Sequence, residues 1–206
     1  MPTPSFFVNP HSGNLKTELI KLRPTPGYCM FIDIAGSTKM KQDGFLNWVA
    51  LIHNCFANAQ TFLLPFSPVK EIGDAIMFYV EDGDLQRSGY VPLQLFDGLW
   101  KIATETDHIF PAVKIGAARC ENAYSITFRQ GNQDYYGIDI DMAARIQGEA
   151  QERQVVIERR LYDNITTNYN ATGNKDNFES YRSLSGPVLR PLKGIPHEVE
   201  LFRAGL

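Results

Sequence analysis

The sequence predicts an α/β (α+β) protein, and three stretches carry that prediction. Residues Tyr28 to Ile34 form a short apolar run rich in strand formers, the pattern of a buried strand. Phe45, Trp48, Val49, Ile52, Phe56, Ala59 and Phe62 recur at helical spacing. They predict an amphipathic helix over Gly44 to Leu64, closed by Pro65 and Pro68. Val69 to Ile72 and Ala75 to Val80 flank Gly73-Asp74, a two-residue hairpin signature.

The other elements follow in order. Residues 1–26 hold five prolines and read as an arm with one short helix near Leu15 to Leu22. Ser37 or Thr38 is placed to cap the helix after the first strand. Glu81-Asp82-Gly83-Asp84 reads as an acidic turn, Leu93 to Ile102 as a helix and Pro111 to Ala118 as a strand. Tyr124 to Phe128 is expected as a strand, with a polar loop over Arg129 to Gln133. Ile138 to Ala150 then reads as a helix, Gln154 to Glu158 as a strand and Arg160 to Ile165 as a short helix. The Asn- and Thr-rich stretch Thr166 to Phe178 is expected as a surface loop, and Glu198 to Arg203 closes as a strand. Strand, helix, hairpin, helix, strand is a ferredoxin-like βαββαβ core, here with C-terminal additions. The expected division is an arm over 1–26 and one domain over 27–206.

Composition narrows the function. A 206-residue chain with 44% hydrophobic residues can bury one sizeable core. A formal net charge of -3 gives no footprint for nucleic acid, so no nucleic-acid partner is expected. Cys29, Cys55 and Cys120 are too few and scattered for a disulfide framework, and buried free thiols are expected for Cys29 and Cys55. The four histidines lack ligand spacing. No secretory leader and no apolar run of about 20 residues is present, so a soluble, cytoplasmic protein without a transmembrane segment is expected.

Two aspartates carry the chemistry. Asp33 ends the buried strand, and Ala35-Gly36-Ser37-Thr38 follows, small enough for backbone N–H groups to meet a phosphate at a helix start. Asp74 sits at the hairpin tip. Gly-Asp alone is a common turn, but two strand-end carboxylates beside a phosphate turn suit Mg²⁺, which binds through one or two carboxylates plus substrate phosphates.

These segments resemble the class III nucleotidyl cyclases, the adenylate and guanylate cyclase catalytic domains. Phe31-Ile32-Asp33-Ile34-Ala35-Gly36-Ser37-Thr38 is similar to the family's first metal motif, and Lys70-Glu71-Ile72-Gly73-Asp74-Ala75-Ile76-Met77 to its second. Asp134-Tyr135-Tyr136-Gly137 and Asp141-Met142-Ala143-Ala144-Arg145 are similar to its base-reading and transition-state segment, and Leu192-Lys193-Gly194 to its late phosphate-binding motif. The resemblance implies that Asp33, Asp74 and the Ile34 carbonyl hold two divalent ions, Mg²⁺ or Mn²⁺. Gly36, Ser37 and Thr38 would bind phosphates, Lys70 and Asp134 would read the base, Arg145 would neutralise the transferred phosphoryl group, and Lys193 would hold the terminal phosphates. It also implies a homodimer with shared sites, the metal half from one subunit and the Lys70, Asp134, Arg145 half from the other.

The chain departs from the family in three places. Asp141 stands where Asn commonly orients the ribose. Ala117-Ala118-Arg119-Cys120-Glu121-Asn122 replaces a glycine-rich strand end, with Arg119 offering charge in place of flexibility. Tyr135 and Tyr136 are bulky beside the base-reading Asp134. Lys70 and Asp134 resemble the adenine-reading pair, which implies ATP. A short chain with no sensor domain and a crowded base site also resembles the stand-alone antiphage pyrimidine cyclases of the Pycsar type. Those make cyclic UMP or CMP, which a separate effector protein reads. Both readings stay open, as does a non-catalytic nucleotide-binding module on the same fold.

Overall fold

The computed structural model describes residues 6–7, 13, 15–105, 110–128 and 133–205. The elements run β1 (Phe6–Phe7), α1 (Leu15–Leu19), β2 (Gly27–Ile34), α2 (Ser37–Asp43), α3 (Phe45–Phe62), β3 (Pro68–Ile72), β4 (Ala75–Glu81), α4 (Asp82–Ser88) and α5 (Pro92–Thr104). They continue through β5 (Val113–Cys120), β6 (Tyr124–Thr127), β7 (Tyr135–Tyr136), α6 (Ile138–Gly148), β8 (Gln154–Glu158), α7 (Arg159–Ala171), α8 (Glu179–Arg182), β9 (Ser185–Pro191) and β10 (Glu198–Gly205).

A seven-stranded sheet has the order β3-β4-β2-β5-β8-β10-β9, and β1, β6 and β7 form a small second sheet. Its first four strands are the predicted βαββαβ unit, all paired antiparallel, with β2 at the centre. The β5–β8 pair is parallel, and β10 and β9 complete the sheet antiparallel.

Alternation along β2 divides the core. Tyr28, Met30, Ile32 and Ile34 pack with Cys55, Ala59, Phe96, Leu99 and Leu161 from α3, α5 and α7. Cys29 and Phe31 pack on the opposite face with Ile140, Met142, Ala143 and Ile146 of α6. The period-2 rule puts Asp33 on the face of Cys29 and Phe31, the one that carries α6. All three cysteines are free and buried.

Gly116 of β5 is where α6 touches the sheet, because a Cβ there would lie 2.1 Å from the Gln147 backbone nitrogen. Neither backbone can yield easily. Gly116→Ala is therefore expected to cost about 2–3 kcal/mol, the upper range for overpacking, as a lowered denaturation midpoint. A midpoint equal to that of the parent chain would contradict this packing.

Several boundaries differ from expectation. The acidic turn is the start of α4, where Asp82 and Asp84 favour the helix N-terminus. The short helix expected over Arg160 to Ile165 runs to Ala171, and a 3-10 turn at Lys175–Asn177 occupies part of the expected loop. Leu161 and Ile165 are buried and Tyr162 and Tyr169 pack beside them, so tertiary burial extends a stretch of weak helix formers. Strand β9 was unforeseen. It is exposed along its whole length and contains Pro187 and Pro191, residues that an edge strand tolerates. Of the loop expected over 129–133, residues 129–132 lie outside the described residues.

Candidate active site

Asp33 pairs in register with Ala75 on one side and Lys114 on the other. Asp74 follows Gly73, whose φ of 66° suits glycine in the tight turn between β3 and β4. The Ile34 N–H donates to the Asp74 carbonyl at 3.3 Å, stitching the hairpin tip to the end of β2. The two carboxylates thus occupy neighbouring strand ends. Gln147 Nε2 of α6 donates to Asp33 Oδ2 at 3.1 Å, and Lys41 Nζ of α2 lies 3.7 Å from Asp74 Oδ1.

The donor set fits a hard divalent ion. Among the described residues no three acids, histidines or cysteines converge, and the acids that lie near each other at these strand ends are Asp33 and Asp74. Mg²⁺ accepts such a set because it keeps waters and takes substrate phosphates as further ligands.

Burial, and then the Asp74 charge, raise the Asp33 carboxyl above its ordinary value of 3.8, outweighing the Gln147 hydrogen bond and Lys114. The folded chain therefore holds that proton more tightly than the unfolded chain. The stability this gives is present at low pH and is lost as pH rises through the raised value. Asp33→Asn removes the penalty and is expected to raise the melting temperature of metal-free protein at pH 7. Mg²⁺ should stabilise the parent chain and not the variant. A variant that melts below the parent would contradict this electrostatic account.

Gly36 is the cap of α2, with φ 69° in the left-handed region and no side-chain capping bond. This corrects the expectation that Ser37 or Thr38 caps the helix. Ser37 is the first helical residue and is buried, while Thr38 is exposed. Ala35 N–H is already committed to the Ala112 carbonyl at 2.9 Å.

Lys70 and Asp134 form one ion pair, with Nζ 2.8 Å and 2.9 Å from the two carboxylate oxygens. The Tyr135 N–H donates to Oδ1 at 2.7 Å and the Tyr136 hydroxyl to Oδ2 at 2.9 Å. The pair lines a cavity of about 890 Å³ with Phe66, Tyr79, Arg87 and Tyr135. The two tyrosines do different things. Tyr135 is buried, stacks on Tyr79 at 4.0 Å between ring centroids and donates to Glu81 at 2.7 Å, so it builds the wall. Tyr136 stands over the ion pair, its ring 5.3 Å from Lys70 Nζ.

Asp141 and Arg145, one turn apart on α6, line a second cavity of about 360 Å³ with Lys193. Gly194, at φ 80°, turns the chain beside Arg145, and a Cβ there would lie 3.9 Å from its guanidinium. The helix is held from its other side by Asp139. That carboxylate accepts the N–H groups of Glu121 and Asn122 at 2.8 Å and Arg160 at 2.9 Å. Burial opposes its ionisation, but these donors outweigh burial and hold its carboxyl below the ordinary value.

Arg119 points elsewhere. It pairs with Asp82 at 2.8 Å and lies 4.9 Å over the Tyr28 ring, so it braces α4 against the sheet rather than replacing strand-end flexibility.

The predicted residues therefore gather in three places: Asp33 with Asp74, Lys70 with Asp134, and Asp141 and Arg145 with Lys193. Neither Asp33 nor Asp74 lines either cavity. Gln147 and Lys41 had no motif to mark them. Gln147 could have been found only from its position two residues after Arg145 on a helix crossing the sheet face that bears Asp33.

This architecture is the class III adenylyl and guanylyl cyclase catalytic fold. An adenylate cyclase of Trypanosoma brucei, solved in its monomeric state, matches with a TM-score of 0.66 at 14% identity, over 87% of this chain and 89% of that one. The adenylyl cyclase CyaB of P. aeruginosa matches at 0.65 and 13% identity, over 89% and 95%. The guanylate cyclase domain of RhGC from Catenaria anguillulae, solved with GTP, matches at 0.62 and 14%, over 87% and 96%. No protein-family model matches the chain, and no curated protein matches its sequence. Among the described residues no helix is long and apolar enough to cross a membrane.

Proposed function

We propose that this chain is a class III nucleotidyl cyclase, its catalytic domain spanning 27–206, that converts a nucleoside triphosphate to a 3′,5′-cyclic nucleotide and pyrophosphate. The observation that carries the proposal is the grouping of Asp33 with Asp74, Lys70 with Asp134, and Arg145 with Lys193 on one cyclase fold. Asp33, Asp74 and the Ile34 carbonyl would hold the divalent ions, which when bound would supply Lewis acidity toward the 3′-hydroxyl and the triphosphate. Gly36, Ser37 and Thr38 offer N–H groups to the phosphates. Lys193 holds the terminal phosphates, and Arg145 neutralises charge growing on the α-phosphoryl group. Asp141, which lines the cavity with Arg145 and Lys193, would stand at the ribose where the family commonly has Asn. The acids lie outside both cavities, which supports a homodimer in which each site draws its acids from one subunit and its Lys70, Asp134 and Arg145 from the other.

The base is adenine or a pyrimidine. A lysine donor beside an aspartate acceptor matches an amine next to a ring nitrogen, an edge that adenine and cytosine share. The Tyr136 hydroxyl donates to Asp134 Oδ2, and its bulk beside the base-reading aspartate speaks for the smaller ring. In the pyrimidine case the product would serve as an antiphage second messenger in the cytoplasm, read by a separate effector protein.

Incubating the purified chain with ATP, GTP, CTP or UTP plus Mn²⁺ and weighing the products tests this. A cyclic monophosphate from ATP, CTP or UTP is expected, with GTP the poorest substrate. Nucleotide binding without any product would favour the non-catalytic module.

A further inference from the structure

We propose that Lys41 is a placeholder cation on Asp74 that hands over to the substrate's polyphosphate when a divalent ion arrives. This rests on the two-metal reading above. Asp33 and Asp74 place two carboxylates at neighbouring strand ends, and among the described residues Lys41 is the cation paired with Asp74. The contact is loose: 3.7 Å is beyond hydrogen-bond length, and the lysine side chain is 42% exposed. A half-exposed pair of this kind is weak, and a doubly charged ion at the same carboxylate displaces it.

In the same position the Lys41 Nζ lies 4.6 Å over the Trp48 ring, so the indole contacts the ammonium that touches Asp74 and reports its departure. On α2, Lys41 is four residues after Ser37 and three after Thr38, so it rises on the helix face shared by the proposed phosphate-binding turn. A polyphosphate bound at that turn would offer an ammonium released from Asp74 a new partner. The lysine thus neutralises Asp74 before binding and adds a positive charge to the polyphosphate afterwards, without entering the chemistry at the α-phosphorus.

The test uses the full-length protein, Mn²⁺ counted by electron paramagnetic resonance, and inorganic pyrophosphate as the polyphosphate probe. Lys41→Met should tighten Mn²⁺ binding in the absence of phosphate about two- to five-fold, the worth of an exposed ion pair. The same variant should weaken pyrophosphate binding in the presence of Mn²⁺ about three- to ten-fold, the loss of one charge-assisted contact. Mg²⁺ should change Trp48 fluorescence in the parent chain and not in the variant. Lys39→Met removes the same charge from the same helix and should leave both affinities at parental values. Unchanged Mn²⁺ affinity, unchanged pyrophosphate affinity, or equal effects of the two lysine variants would each overturn the handover. A parent chain that takes up no Mn²⁺ sensitive to Asp33→Asn would overturn the metal assignment as well. Uptake that is present and sensitive, but indifferent to Lys41, would leave that assignment standing and remove only the handover.

Discussion

Replacing either Asp33 or Asp74 with alanine is expected to lower cyclic-nucleotide formation at least about a thousandfold, several kcal/mol of lost charge stabilisation, while the fold survives. The two halves of this expectation have separate causes. On the proposed two-metal reading Asp33 and Asp74 would be the carboxylate ligands, so removing either would leave too few ligands to hold an ion against water. Neither acid supports the core. Asp33 is only half-buried and its charge is opposed by its surroundings, and Asp74 occupies a turn whose geometry comes from Gly73 and from backbone bonding to Ile34. Product formation by mass and thermal melting by circular dichroism, measured on the same samples, check both. A variant that keeps full turnover would remove the metal role. A variant that loses turnover only because it is unfolded would leave these carboxylates structural.

Arg145→Ala is the second large effect, an expected fall of about 10²- to 10³-fold in turnover, with dimerisation and melting temperature retained. Arg145 projects from the exposed side of α6 into the cavity it shares with Lys193 and Asp141, while Met142, Ala143 and Ile146 carry the burial of that helix. The side chain is therefore free of a packing role, and its charge is what the substitution removes. Arg145→Lys should recover only part of the rate, because an ammonium lacks the planar fork that grips phosphoryl oxygens. Turnover unchanged in the alanine variant would move the charge-neutralising role to Lys193 or elsewhere.

Much of this was legible before any coordinates. The alternation of Tyr28 to Ile34 and the Gly73-Asp74 dipeptide define the central strand and its hairpin, because both obey local rules that tertiary context reinforces. Helix α7 was half legible. Its Asn and Thr residues have weak helix propensity, and what holds it is the burial of Leu161 and Ile165, a long-range fact. Strand β9 was illegible because proline and glycine break the usual signature and nothing in it is buried. The site shows the same division. Asp33 and Asp74 announce themselves by strand-end position, and Lys70 and Asp134 by motif, but their direct contact spans 64 residues of sequence. Gln147 reaches Asp33 only because Gly116 lets α6 lie close on the sheet, an effect visible from neither segment alone. The tyrosines following Asp134 read as equivalent obstacles, whereas Tyr79 and Glu81 draw Tyr135 into the wall and leave Tyr136 at the ion pair.

The central claim is a cyclase site divided between two copies of the chain, and mixing two dead variants tests it most directly. Asp33→Ala lacks the metal half and Arg145→Ala lacks the other, so a heterodimer of the two contains one site with both halves intact. With random pairing, half the dimers are mixed and each has one good site of two, so about a quarter of parental activity should return. Recovery near that level, from two proteins that are each inactive alone, is the predicted result. An inert mixture in which heterodimers are shown to form would contradict the divided site.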